Sequence, residues 1–191
     1  MSTLKVDNLD ARTGTTITVP SATTMYLPGH IIQVVNTYLK NPFSQSLPAS
    51  YNTYTDVTGL SASITPKSVN SKIYMTVRWF GEFSSQGSTQ NVCWNIKRNG
   101  TLIGQPPQPG SLPIGIHMAA IAYTGENADS TPETCFYDYY DSPATVSSLT
   151  YQVTVNSSDS LTMYTNRCVN ATTSSSYERG TSSITLFEIA G

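Results

Sequence analysis

Apolar and polar residues alternate with a period of two along most of the chain. KIYMTVRWFGEF, residues 72–83, sets Ile73, Met75, Val77 and Trp79 against Lys72, Tyr74, Thr76 and Arg78. Successive side chains of a strand point to opposite faces, so this stretch predicts a strand that buries its Ile-Met-Val-Trp row. SLTYQVTV alternates in the same way through Leu149, Tyr151, Val153 and Val155, and YTDVTGLSASITP through Leu60, Ala62 and Ile64. HIIQVVNTYL is rich in β-branched residues, which suit a pleated, half-buried surface. VCWNIKRNGTLIG reads as a hairpin: Val92, Trp94 and Ile96 line one face, and Asn99-Gly100 is a favoured pair for a tight turn. IGIHMAAIAYTG, CFYDYYD, LTMYTNRC and SSITLFEIAG add further strands, and only Met118–Ala122 offers a short helix as a competitor. Pro106–Pro113, PPQPGSLP, is a loop. No window repeats apolar residues at i, i+3, i+4 and i+7 over three turns. Many strands joined by polar turns, with no helices between them, predict an all-β fold: a jelly-roll-like antiparallel β-sandwich. SSITLFEIAG, at the chain's end, is apolar enough to require a place inside a sheet.

The first residues break this pattern. Met1–Gly29 carries only scattered apolar positions, Leu4, Val6, Leu9, Ile17 and Val19, among Lys, Asp and Thr. Such a segment exposes too little apolar surface to form a core alone. It must lie against the main domain, other copies of itself, or a partner. Pro28-Gly29 then punctuates the chain, which divides it into a stem or anchor at 1–29 and a knob domain at 30–191.

Composition narrows the function classes. Of 191 residues only 12% are charged, against about 25% in an average globular protein. The net charge of -2 and the dispersed basic residues leave no footprint for nucleic acid. No apolar run is long enough to span a membrane, and MSTLKVDNLDARTG lacks the features of a signal peptide. Cys93, Cys135 and Cys168 are far apart with no CxxC spacing; they read as small buried apolar residues of a chain made in a reducing cytoplasm. The sequons at Asn99, Asn156 and Asn170 are chance matches in a chain so rich in Asn, Ser and Thr.

The chemistry on offer is sparse. His30 and His117 are the only histidines, and no nucleophile elbow, phosphate-binding glycine loop or HExxH pattern occurs. A glycosidase needs two carboxylates roughly 5–10 Å apart. Glu82, Glu126, Asp138 and Asp141 are the acids to test for such a pair; the simpler reading is exposed acids on strand ends and loops. No enzyme, cofactor or metal is expected. Trp79 and Trp94 share faces with aliphatic residues and read as core. In FYDYYD, Tyr137 and Tyr139 fall on one side, with Phe136, Asp138 and Tyr140 on the other, so one side presents rings to something besides the core. Tyr with Asp can hold a sugar, ring against its apolar side and carboxylate to hydroxyls. Tyr137, Asp138, Tyr139, Tyr140 and Asp141 are therefore candidate ligand residues, and a packed strand or subunit interface is the alternative. Tyr51 and Tyr54, expected in a loop before a strand, are weaker candidates of the same kind.

The opening MSTLKVDNLDARTGTTITVPSATTMYLPGHIIQVV resembles the start of tail-fibre, appendage and virion structural proteins of tailed bacteriophages, notably those of marine and cyanobacterial hosts. SITPKSVNSKIYMTV (63–77), RNGTLIG (98–104) and the closing SSITLFEIAG resemble further stretches of the same group. The resemblance implies an all-β knob, usually trimeric, on a fibre tip or virion surface, and it implies no catalytic residues. The expected partners are two more copies of the chain, other virion proteins through residues 1–29, and a host-surface polysaccharide. The rivals are a purely structural capsid or collar decoration and a polysaccharide depolymerase.

Overall fold

The computed structural model describes residues 27–84, 92–119, 131–170, 173 and 175–191. Leu4, Val6, Leu9, Ile17 and Val19 lie outside the described residues. Eleven strands are present: β1 (Ile31–Leu39), β2 (Phe43–Leu47), β3 (Ser50–Ile64), β4 (Lys72–Phe83), β5 (Val92–Arg98), β6 (Thr101–Ile103), β7 (His117–Ala119), β8 (Glu133–Asp141), β9 (Leu149–Ser157), β10 (Leu161–Thr165) and β11 (Ser182–Ile189). Among the described residues there is no helix, and Met118 lies in β7.

Two antiparallel sheets form a jelly-roll-like sandwich. The first runs β1-β11-β4-β10-β2, with β8 on the other edge of β4. The second runs β3-β9-β5-β6, with β7 beside β6 on the edge of β5. The chain passes from one sheet to the other at β2 to β3, β3 to β4, β4 to β5, β7 to β8, β8 to β9 and β9 to β10. The alternation of each strand then supplies one face to the space between the sheets.

The predicted rows fill that space. Ile73, Met75, Val77 and Trp79 of β4 meet Val92, Trp94 and Ile96 of β5, with Leu149, Tyr151, Val153 and Val155 of β9 beside them, all buried. Trp79 sits 5.0 Å from Trp94 and 5.1 Å from Phe83, ring to ring, and its indole N–H donates to Thr165 Oγ1 at 3.0 Å. The β5–β6 hairpin turns at Asn99 and Gly100, both at positive φ (48° and 83°), a geometry that glycine adopts freely and asparagine tolerates. β11 is central, between β1 and β4, and buries Ile184, Leu186 and Glu188. All three cysteines are free and buried, as the composition predicted.

β3 differs from its expected course. The strand begins at Ser50, so Tyr51 and Tyr54 belong to it and not to a loop. Polar residues 50–56 carry no hydrophobic alternation, and the strand breaks register with β9 twice, between Ser50 and Thr55 and between Asp56 and Ser61. Local patterning cannot reveal such a stretch; its pairing is set by β9, roughly a hundred residues later.

Candidate functional site

The run Phe136–Asp141 lies in β8, whose neighbour is β4. Its two sides have different fates. Tyr137 is 5% exposed; its phenol crosses to the second sheet, donates to the Asn95 carbonyl at 3.2 Å, and stacks on His117 with ring centroids 5.9 Å apart. Burial, with the Cys135 thiol beside it, pushes the phenol's pKa well above its ordinary value. Tyr139 packs against the core from β8, and its ring lies over Gly104, where a Cβ would come within 2.4 Å of it. Only glycine leaves that approach open, and Gly104 also takes a φ of 71°. Asp141 is 6% exposed and accepts two hydrogen bonds from Arg98 Nη1 (2.9 and 2.8 Å) and one from the Tyr151 hydroxyl at 2.7 Å. A buried carboxylate is costly unless paired and hydrogen-bonded; this one ties β8 to β5 and β9. Burial first, and the Asp141 carboxylate second, push the Tyr151 phenol far up. Tyr137, Tyr139 and Asp141 are therefore turned inward, where they hold the sandwich together.

The other side of β8 faces outward. Phe136 and Tyr140 are exposed, and so is Asp138 between them. Tyr51 and Tyr54, half-buried, take part in a different arrangement, a chain of amides over the second sheet. Asn156 Nδ2 donates to the Tyr51 carbonyl (2.6 Å), Asn95 Nδ2 to Asn156 Oδ1 (3.1 Å), and Gln105 Nε2 to both Asn95 Oδ1 (3.0 Å) and the Tyr54 hydroxyl (3.2 Å). Lys97 reaches the Tyr54 carbonyl and Asp56 from the same face. Asn95, Thr154 and Asn156 on this side of the sheet are all buried.

Glu82, Asp138 and Asp141 do not form a glycosidase pair. Asp141 is opposite Ile73 and Asp138 opposite Thr76, while Glu82 lies near the far end of β4. At about 3.3 Å per residue, Glu82 stands roughly 20 Å from Asp138 and 30 Å from Asp141 along the strand. Asp138 and Asp141 point to opposite faces of β8. Glu126 lies outside the described residues. Glu82 is buried and accepts hydrogen bonds from the Thr131 backbone N–H and hydroxyl and from the Val169 N–H, which gathers two loops at one end of the sandwich. Glu188, also buried, accepts from Gln33 and from the Lys67 N–H. Among the described residues no three His, Cys, Asp or Glu side chains converge on a point that suits a metal.

The feature missed by sequence reading is a whole face. Outward residues of β1, β11, β4 and β8 line up in cross-strand rows: Val34–Phe187–Tyr74–Tyr140, then Asn36–Thr185–Thr76–Asp138, then Tyr38–Ser183–Arg78–Phe136. Each strand's alternation gave its own outward set. The rows needed the register, which no single stretch encodes.

No family model matches the sequence, and no curated protein matches it. Among solved structures, that of the infectious bursal disease virus Gx strain shares 11% identity over 91% of this chain and 46% of that chain, with a TM-score of 0.35. The crystal structure of the infectious bursal disease virus VP2 subviral particle shares 11% identity over 97% of this chain and 46% of that one, with a TM-score of 0.36. The chain spans less than half the length of either.

Proposed function

We propose that this chain is a virion structural protein: a homotrimeric knob, anchored by residues 1–29 to another virion protein, that contributes to attachment on a host-surface polysaccharide. The observation that carries the reading is where the sandwich pins its chain ends. Gly29 N–H donates to the Ala190 carbonyl (2.9 Å) and Ala190 N–H to the His30 carbonyl (2.8 Å), so residues 27–30 and 190 lie together at one pole. The chain preceding Leu27 leaves there. The opposite pole carries the start of β3, the Glu82-bound loops and the β10–β11 connection. Chain ends gathered at one pole support the reading of an anchored head and suit the resemblance of the opening and closing segments to phage appendage proteins. Interior use of Glu82, Asp141 and Glu188 favours a binding head over a depolymerase. Many copies on one particle turn weak saccharide contacts into useful avidity.

Deleting residues 2–29 tests the anchor: particles should lose the protein while the deleted chain still melts cooperatively. Purified full-length chain should coat host cells and be displaced by soluble host polysaccharide. Normal incorporation without any host-cell binding would leave only the structural decoration, and release of reducing ends from that polysaccharide would revive the enzyme.

A further inference from the structure

Resting on the trimeric reading above, we infer that the outer face of β1–β11–β4–β8 is the surface on which copies of this chain pack against one another. The face gathers five of the ten exposed large hydrophobic side chains among the described residues: Ile31, Val34, Tyr38, Phe136 and Tyr140. Phe136 is 61% and Tyr38 60% exposed, at opposite edges of the face. Between them Tyr74 and Phe187 stand half-buried with ring centroids 6.0 Å apart.

The composition is that of a protein interface. Aromatic residues and Arg are enriched at such contacts and Lys, Glu and Asp depleted. Here the rings accompany Arg78, only Asp138 adds further charge to the rows, and Lys72 lies beyond them opposite Ile189. The polar groups of the face are also partly served from within. Asn36 Nδ2 donates to Thr185 Oγ1 (2.5 Å) and Arg78 Nη2 to Thr181 Oγ1 (3.0 Å). A protein surface can cover such groups without stranding donors, whereas a saccharide site needs converging polar groups left free for hydroxyls.

The size fits as well. Four strands at about 4.8 Å and some eight residues at about 3.3 Å give a plan of roughly 500 Å². It is over half of the ~800 Å² each partner gives to a stable complex. Around a three-fold axis every chain makes two such contacts, its face to one neighbour and an adjoining edge to the other. The position agrees: β1 belongs to this sheet, so the chain preceding Leu27 departs from its margin, and sheets turned toward a shared axis would bring three anchors together.

The test is the mass of the full chain in solution, by light scattering and native mass spectrometry at micromolar concentration. The wild type should have the mass of three chains. Phe136→Glu with Tyr140→Lys should cut that mass three-fold while far-UV circular dichroism stays that of a β-sandwich. Val69→Lys with Leu112→Lys, equally exposed but off the face, should keep the wild-type mass. Should the charged variant fail to fold, Thr76→Cys gives a second readout. The native thiols are buried, so maleimide labelling reports position 76 and should slow as chain concentration rises. Unchanged mass in the charged variant, or labelling independent of concentration in an assembled Thr76→Cys chain, would overturn the inference and leave the trimer standing. A two-chain mass abolished by the same variant would keep the interface and remove the trimer. A monomeric wild type would remove both, and loss of host-polysaccharide binding by Tyr140→Lys would then make the face a saccharide site.

Discussion

The two outer faces of the sandwich solve the same problem in opposite ways. Each sheet turns one side to the core and must do something with the other. The second sheet seals its outer side with its own chain: Asn95, Thr154 and Asn156 are buried, and Gln105, Tyr51 and Tyr54 close over them through the amide chain. The doubly irregular β3 pairs with β9 beside this surface, and Gln152 Nε2 donates to its Val57 and Leu60 carbonyls. The first sheet keeps regular register across β11, β4 and β8, has no such cover among the described residues, and presents rings. A polar surface sealed from within is costly wherever a group goes unmatched, at about 1–3 kcal/mol each, and among the described residues the buried Thr154 hydroxyl is one such group, while Asn95 and Asn156 are paired. An apolar surface left open needs a partner instead. Rigidity on one side and availability on the other follow from the same alternation, read on two sheets.

The largest effect should come from removing residues 184–191. β11 lies between β1 and β4, so its loss splits the open-faced sheet and takes Ile184 and Leu186 from the core. A chain ending at Ser183 should show no cooperative thermal transition by circular dichroism. A melt like that of the full chain would mean that the open face does not depend on β11, and the comparison would collapse.

How much of this was legible in the sequence varies along the chain. The β4 and β9 rows, the Asn99-Gly100 turn and the inclusion of SSITLFEIAG were readable because burial follows a period of two, or the turn demands positive φ. FSQSL, which became β2, was not, because a short polar strand has no pattern of its own and borrows its place from β10. In β8 the alternation was plain, but rings on both sides hid which side is inside. Arg98 settles that from 43 residues away, by holding Asp141. The candidate site therefore emerged only when strands were set side by side.

A smaller effect is linked to pH and probes the sealed side. Cys93 lies on β5 next to Asn95, and burial pushes its thiol from 9.0 up to about 11; Cys135, inward on β8, is pushed by burial to about 12. Below about pH 9 both folded and unfolded chains keep these protons, so stability is insensitive to them. Above it the unfolded chain releases protons that the native chain retains, so stability falls as pH rises through 9 toward 11. Urea midpoints measured across that range should drop, and Cys93→Ala should flatten part of the slope. An undiminished slope in Cys93→Ala would mean that this thiol meets water in the native chain, and that the second sheet is less closed than its hydrogen bonds imply.

The finest test sets one side chain from each face against the other. Asn95→Ala removes the centre of the amide chain and leaves Asn156 Oδ1 without that donor and Gln105 Nε2 without one of its two acceptors. The expected cost is about 1–3 kcal/mol in urea unfolding. Thr185→Ala takes an acceptor from Asn36 on the open face, where water replaces it; the expected change is within about 0.5 kcal/mol. Both are best measured in a Phe136→Glu background, so that association of chains does not enter. Equal costs would mean that the first sheet's outer side is covered within a single chain. A cost at Thr185 that appears only when Phe136 is restored would locate the missing cover in another copy.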